Sequence, residues 1–197
     1  LICDVMGHGV HSALVAVLLR TWAQQVAEES PTPAAWLDNL NRRLVSLFLD
    51  SGNCFTATAF ACDLDPGTGL ITYCSAGHPP PLIRTAQGDV RRVRNGPSQG
   101  PGMGFLHEAG YVIGKDQLEH GDCLLMFTDG LLEAKNAEGH DFDEERIVHA
   151  LRKSADHPAD RIIEQVKQEV TRYSGTHPQE DDICILAVER IVRSIVN

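Results

Sequence analysis

The chain has 197 residues, of which 43% are hydrophobic and 22% charged. That is the balance of a globular chain able to bury a core without disulfide or metal staples, and it excludes disordered, collagen-like and mini-protein classes. Seventeen Lys and Arg against 27 Asp and Glu give a net charge of −10, which argues against nucleic acid and anionic membrane surfaces as partners, since both select basic patches.

The chain opens on Leu1-Ile2-Cys3-Asp4, without an initiator Met or a basic leader. It reads as if it starts inside a strand, so a fragment of a longer protein is expected. Leu1–Met6 is a strand end, broken by Gly7-His8-Gly9. Val10–Glu28 reads as a helix with apolar residues around much of its circumference, which needs contacts on more than one side. Its longest apolar run, Ala13 to Leu19, is far short of the roughly 20 residues that span a bilayer. Thr32 is placed to cap a second helix, Pro33–Leu49, with Pro33 at its first position. Trp36, Leu37, Leu40, Leu44, Leu47 and Phe48 share a face of it.

A β-rich middle follows. Cys54–Asp63 and Leu70–Ser75 are predicted strands around Asp65-Pro66-Gly67-Thr68-Gly69. Leu82–Arg84 and Asp89–Arg94 form a hairpin turning at Gln87-Gly88. Gly96–Gly104 is too rich in Gly and Pro for regular structure. Tyr111–Lys115 and Cys123–Phe127 are further strands. Phe142–Arg152 and Pro158–Tyr173 are helices, and Ile183–Val188 is the last strand. Grouped helices and consecutive short-turn strands indicate an α+β fold with antiparallel sheets.

Cys3, Cys54, Cys62, Cys74, Cys123 and Cys184 form no C-x-x-C pair, and each lies in an apolar stretch. Buried free thiols in a reducing, cytoplasmic setting are expected. Gly96-Pro97-Ser98-Gln99-Gly100 matches the G-x-S-x-G nucleophile elbow. That motif needs a buried strand before it and a helix after it, and Arg91–Arg94 and Pro101-Gly102 supply neither.

Three acidic sites share one feature. Asp4, Asp129 and Asp181-Asp182 each lie at the edge of an apolar strand, beside a turn or a second acid. Acids at strand ends can converge on one rim of a sheet, where hard divalent cations take oxygen ligands. Each taken alone could equally cap a turn.

Five blocks resemble the bacterial PP2C-like (PPM) serine/threonine phosphatases of the SpoIIE/RsbU type. They are Asp4-Val5-Met6-Gly7-His8-Gly9 with Ser12-Ala13-Leu14, Ser75-Ala76-Gly77-His78-Pro79-Pro80, Gly100–Gly104, Phe127-Thr128-Asp129-Gly130-Leu131-Leu132-Glu133-Ala134, and Asp181-Asp182-Ile183. The resemblance implies a single PP2C-like domain over residues 1–197, a layered sandwich of antiparallel sheets flanked by helices and lacking its first strands. It implies two Mn²⁺ or Mg²⁺ ions, with Asp4 bridging, the Val5 carbonyl beside it, and Asp129 and Asp181 completing the second metal. Asp4, Asp129 and Asp181 would then be the catalytic acids, supported by Gly7, His8, Gly9, His78, Gly130 and Asp182. The reaction implied is attack of metal-activated water on phosphoserine or phosphothreonine of a regulatory protein such as an anti-sigma-factor antagonist. An upstream sensor or receiver domain in the same chain is implied too.

The family carries a further Asp in a G-G-D block, and this chain starts after that point. Its eukaryotic branch has a His where Met6 stands, so the acid role is not transferred to His8. His8 is expected to hydrogen-bond its turn and His78 to shape its loop. The alternative to an enzyme is an inactive binding or adaptor module. The helices over residues 10–49 are read as a regulatory element and a candidate homodimer contact, with Val15 facing outward.

Overall fold

A computed structural model describes residues 1–48, 55–94, 99–154 and 157–191. In chain order the elements are β1 (Ile2–Val5), α1 (Val10–Ala27), α2 (Pro33–Leu47), β2 (Ala57–Leu64), β3 (Leu70–Ala76), β4 (Leu82–Arg84), β5 (Val90–Arg92), β6 (Gln99–Gly100), β7 (Gly114–Gln117), β8 (Cys123–Phe127), a 3₁₀ turn (Asp129–Leu131), α3 (Asp143–Lys153), α4 (Ala159–Ser174) and β9 (Ile185–Glu189). This is the α+β class read from the sequence. The described residues form two units, the first made of Leu1–Asp65, Leu70–His78 and Arg94–Asp116.

In the first unit β1, β2 and β3 pair antiparallel in that order, with Asp4 opposite Thr58. The β2 strand reads Ala57, Ala59, Ala61 on one face and Thr58, Phe60, Cys62 on the other. The alanine face leaves room for α2, whose Leu37, Leu40 and Leu44 are buried with those alanines in one core. Truncating any of these leucines to Ala would cost about 2–5 kcal/mol. Thr32 caps α2 as expected, its hydroxyl accepting from the Ala35 N–H at 3.2 Å. The helix ends at Leu47, and Leu49 lies outside the described residues, as does Cys54. The Trp36 indole donates to the Ala23 carbonyl at 3.0 Å, tying the second helix to the first.

Helix α1 departs from the sequence reading in which side is covered. Val15, Leu19, Ala23 and Val26, spaced four, four and three apart, are its buried stripe. Val10, Leu14 and Val17 are 73%, 59% and 62% exposed. Val15 therefore points inward, because the core stripe runs through it and not through its neighbour Leu14. Among the described residues α1, at 18 residues, is the longest helix, and none is long and apolar enough to cross a membrane.

Two other expectations shift. Within Gly96–Gly104, β6 pairs parallel with Ser75-Ala76, and Met103 and Ala57 exchange N–H to carbonyl bonds of 2.8 and 3.1 Å. A parallel ladder asks only for backbone groups, so Gly and Pro nearby do not prevent it. Residues 96–98 lie outside the described residues, and no helix follows Gly100 before the Asp129–Leu131 turn. The strand expected at Tyr111–Lys115 is instead Gly114–Gln117. Tyr111 is buried in the first core, while Val112 and Ile113 are exposed.

In the second unit the strand order is β5-β4-β8-β9, all antiparallel. The β4–β5 hairpin forms as read. All five residues of β8 are buried. Leu125 and Phe127 share a core with Ile147 and Leu151 of α3 and Ile162 and Val166 of α4. The Arg84 side chain is buried and donates to the carbonyls of Ser154, His157 and Gly121 at 2.6, 2.9 and 3.3 Å. It thereby holds the α3–α4 connection to the sheet.

The cysteines are not uniformly buried. Cys74 and Cys123 are, Cys3 and Cys62 are half-buried, and Cys184 is exposed, just ahead of β9. The apolar run Ile183–Leu186 suggested a buried strand start, but pairing with β8 begins at Ile185.

Candidate metal centre

The second unit brings Asp129 and Asp181 together. The β8–β9 ladder runs to Phe127 opposite Ile185. One step further, the Thr128 N–H donates to the Cys184 carbonyl at 3.1 Å. There the strands end, and the Thr128 hydroxyl continues the pairing. It donates to the Asp182 carbonyl at 3.0 Å and accepts from the Cys184 N–H at 2.9 Å. Asp129 opens the 3₁₀ turn, whose Leu132 and Glu133 N–H groups return to the Asp129 carbonyl at 2.8 and 3.0 Å. Gly130 sits against the other segment so closely that a Cβ there would lie 2.5 Å from the Asp182 carbonyl oxygen.

Across from this turn, the Asp182 N–H donates to Asp181 Oδ1 at 2.8 Å, and Gln179 Nε2 donates to the Asp181 carbonyl at 2.8 Å. Lys135, six residues after Asp129, forms an ion pair with Glu180. The Glu180 hydrogen bond and charge raise the Lys135 pKa, and Lys135 in turn holds Glu180 below its ordinary value.

One carboxylate oxygen of Asp129 and one of Asp181 lie within 4.8 Å of each other. Asp129 Oδ1 is buried and has no hydrogen-bond partner among the described residues. A buried carboxylate oxygen without a donor is costly, and a second carboxylate beside it adds repulsion. A divalent cation relieves both, and an all-oxygen donor set of this kind suits Mg²⁺ or Mn²⁺. The residues present fit such an ion.

Asp4 belongs to the first unit. It lies half-buried on β1, the edge strand of its sheet. Its cross-strand neighbour Thr58 meets the imidazole of His78, with 2.9 Å between Oγ1 and Nδ1. His78 is only 1% exposed, and the Ser75 hydroxyl donates to its carbonyl at 3.4 Å. The His78 ring therefore contacts the residue opposite Asp4. Both backbone groups of Ala57, opposite Val5, are taken by Met103. The Val5 carbonyl is left on the outer side of the edge strand.

The turn after β1 depends on glycine. Gly7 and Gly9 have φ of +91° and +92°, which other residues adopt only with strain. The Ser12 hydroxyl donates to the Met6 carbonyl at 3.4 Å. His8 is exposed, and among the described residues its ring takes no part in the hydrogen bonds of the turn. The expectation that His8 bonds the turn is not met, because two left-handed glycines and Ser12 close it without a side chain from His8.

Sequence reasoning passed over Thr58, Thr128 and the Lys135–Glu180 pair. Thr128 stood inside the Phe127–Ala134 block, and a hydroxyl at the end of an apolar strand was the available signal. Thr58 and His78 are joined only by the fold.

A family model described as Stage II sporulation protein E (SpoIIE) matches residues 1–191. The chain belongs to the SpoIIE family. Among relatives of this SpoIIE-family chain, phosphoserine phosphatase RsbP of Bacillus subtilis (strain 168) is 26% identical over 190 residues, 96% of this chain and 45% of RsbP. The chain thus spans less than half the length of that relative. The solved RsbU and RsbW domains of Rv1364c from Mycobacterium tuberculosis superpose with a TM-score of 0.79 at 28% identity, over 96% of this chain and 51% of that one. RsbX in complex with magnesium superposes with a TM-score of 0.63 at 16% identity, over 94% of this chain and 77% of that one. The fold is that of the PP2C phosphatases.

Proposed function

We propose that this chain is the catalytic domain of a metal-dependent protein serine/threonine phosphatase. Its two units would act as one domain, within a longer regulatory protein. In this reading Asp4, Asp129 and Asp181, with the Val5 carbonyl, hold two Mn²⁺ or Mg²⁺ ions. The observation that carries the reading is the Asp129–Asp181 pair, one oxygen of it buried and unpartnered. Membership of the SpoIIE family and the activity borne by RsbP support it.

Divalent ions held there would supply an activated water and charge neutralisation for attack on a phosphate monoester, so no side-chain nucleophile is needed. The chain's own residues do the positioning. Asp129 is fixed by the 3₁₀ turn and Asp181 by the Asp182 N–H. Asp4 is fixed by its ladder with Thr58, and Gly7 and Gly9 turn the chain immediately after β1.

The substrate in this reading is phosphoserine or phosphothreonine on a regulatory protein of the anti-sigma-factor antagonist kind. The exposed α1 residues Val10, Leu14 and Val17 support a regulatory contact on that helix, with an upstream domain or a second copy, in a cytoplasmic setting. The test is hydrolysis of a phosphoserine peptide and of p-nitrophenyl phosphate with and without Mn²⁺. Metal-dependent turnover abolished by Asp129→Asn supports the assignment. No turnover with Mn²⁺ by a chain that binds the peptide would instead mark a binding module.

A further inference from the structure

We infer that Thr128 is a positioning residue that sets the separation of the Asp129 and Asp181 carboxylates, and hence the affinity for the divalent ion. The inference rests on the proposed metal-dependent reading and adds to it a side chain that is not itself a ligand.

Three observations carry it. Thr128 is 3% exposed, so its hydroxyl has no water to fall back on. That hydroxyl works in both directions, giving its proton to the Asp182 carbonyl at 3.0 Å and taking the Cys184 N–H at 2.9 Å. Both groups belong to the turn that carries Asp181, while the Thr128 backbone leads directly into Asp129. The side chain is therefore a clasp between the two acid-bearing segments, directly before Asp129 in the chain and bonded to the residue directly after Asp181.

The backbone alone does not do this. The Thr128 N–H to Cys184 carbonyl bond is the last rung of the ladder. Beyond it the two segments separate into turns, and the hydroxyl takes the Cys184 N–H of that same rung and reaches on to the Asp182 carbonyl. Replacing Thr by Val keeps the shape and β-branching and removes both bonds, so the Cys184 N–H and the Asp182 carbonyl lose the partner that ties their segment to Asp129. The ladder through Phe127 and Ile185 stays, so the loss acts on the turn rather than on the sheet. Partners that orient a ligand from outside typically contribute 10–100-fold to metal affinity.

The test is calorimetric titration of Mn²⁺ into the full chain, the Thr128→Val variant and the Thr128→Ser variant, with thermal melts of each in EDTA. Thr128→Val is expected to bind Mn²⁺ roughly 10–100-fold more weakly while still melting cooperatively in EDTA. Thr128→Ser, which keeps the hydroxyl, is expected to bind close to the unsubstituted chain. Unchanged affinity in Thr128→Val, or a loss in Thr128→Ser equal to that in Thr128→Val, overturns the inference and leaves the metal-dependent reading intact. An unsubstituted chain that binds no Mn²⁺ overturns both. Should Thr128→Val not fold, Thr128→Ser decides: retained affinity supports the clasp and lost affinity overturns it.

Discussion

Gly130 and Asp182 touch: a Cβ on Gly130 would stand 2.5 Å from the Asp182 carbonyl oxygen, 3.1 Å from its carbonyl carbon and 3.3 Å from that of Asp181. All three atoms are backbone, so no side chain can swing aside to admit even a methyl group. Gly130→Ala should push the segment of Asp181 away from that of Asp129. We expect a loss of about 1–3 kcal/mol in stability, together with weaker Mn²⁺ binding. Urea unfolding and metal titration check the two effects. A Gly130→Ala chain that binds Mn²⁺ normally would mean that this contact does not set the geometry of the acids.

Asp129→Asn separates catalysis from folding. With no cation present, the change removes one of two neighbouring charges, and so relieves repulsion at a buried oxygen that has no donor. The melting temperature in EDTA should stay the same or rise. Phosphatase activity should fall by more than the roughly 10–100-fold seen when an outer partner of a ligand is lost. A large drop in the EDTA melting temperature would show that Asp129 is needed for the fold itself.

The same substitution type distinguishes the two sides of α1. Val15→Glu places a charge among Leu19, Leu37 and Leu40 in the first core and should destabilise by at least about 3 kcal/mol. Leu14→Glu, at a position 59% exposed, should lie within about 0.5 kcal/mol of the unsubstituted chain. Guanidinium denaturation of both variants decides the matter. Equal effects would contradict the burial of the Val15–Leu19–Ala23–Val26 stripe.

Val15 also shows where sequence patterning reaches its end. Local chemistry was legible. Thr32-Pro33 marked the start of α2, Gln87-Gly88 the hairpin, and Cys123–Phe127 the strand to its last residue, because capping, turn and burial signals are contained in a few neighbouring residues. Helix α1 is apolar on nearly every side, so periodicity could not select between Leu14 and Val15; only the position of α2 and β1 does. The strand at 114–117 was missed for a related reason. Tyr111-Val112-Ile113 has the higher β propensity, yet the ladder with β3 forms through Gly114, where the Tyr73 ring lies 2.4 Å from the place of a Cβ. The acids proposed for the site were legible as strand-end carboxylates and as motif blocks. Thr58–His78 and Thr128–Cys184 were not, since 20 and 56 residues separate the partners and only the sheet register joins them.

Thiol reactivity should follow burial. Removal from solvent raises Cys74 and Cys123 from 9.0 to about 11 each, with Asp38 adding to the first and Arg84 partly offsetting the second. Iodoacetamide at pH 8 should label the peptide containing Cys184 while leaving those of Cys74 and Cys123 unmodified until the chain unfolds. Because folding favours the protonated thiols, their contribution to stability is complete below about pH 8.5 and is lost as the pH rises toward 11. Melting temperature should therefore fall across that alkaline window, and early labelling of Cys123 would contradict its burial.

We propose that Asp129 and Asp181, with Asp4, hold a divalent cation for phosphoester hydrolysis. Anomalous diffraction from crystals soaked in Mn²⁺ tests it most directly. A manganese peak is expected in contact with carboxylate oxygens of all three residues, at close to the roughly 2.0–2.1 Å found for small octahedral cations. A fully soaked crystal with no peak at Asp129, or with manganese bound by other residues alone, would contradict it.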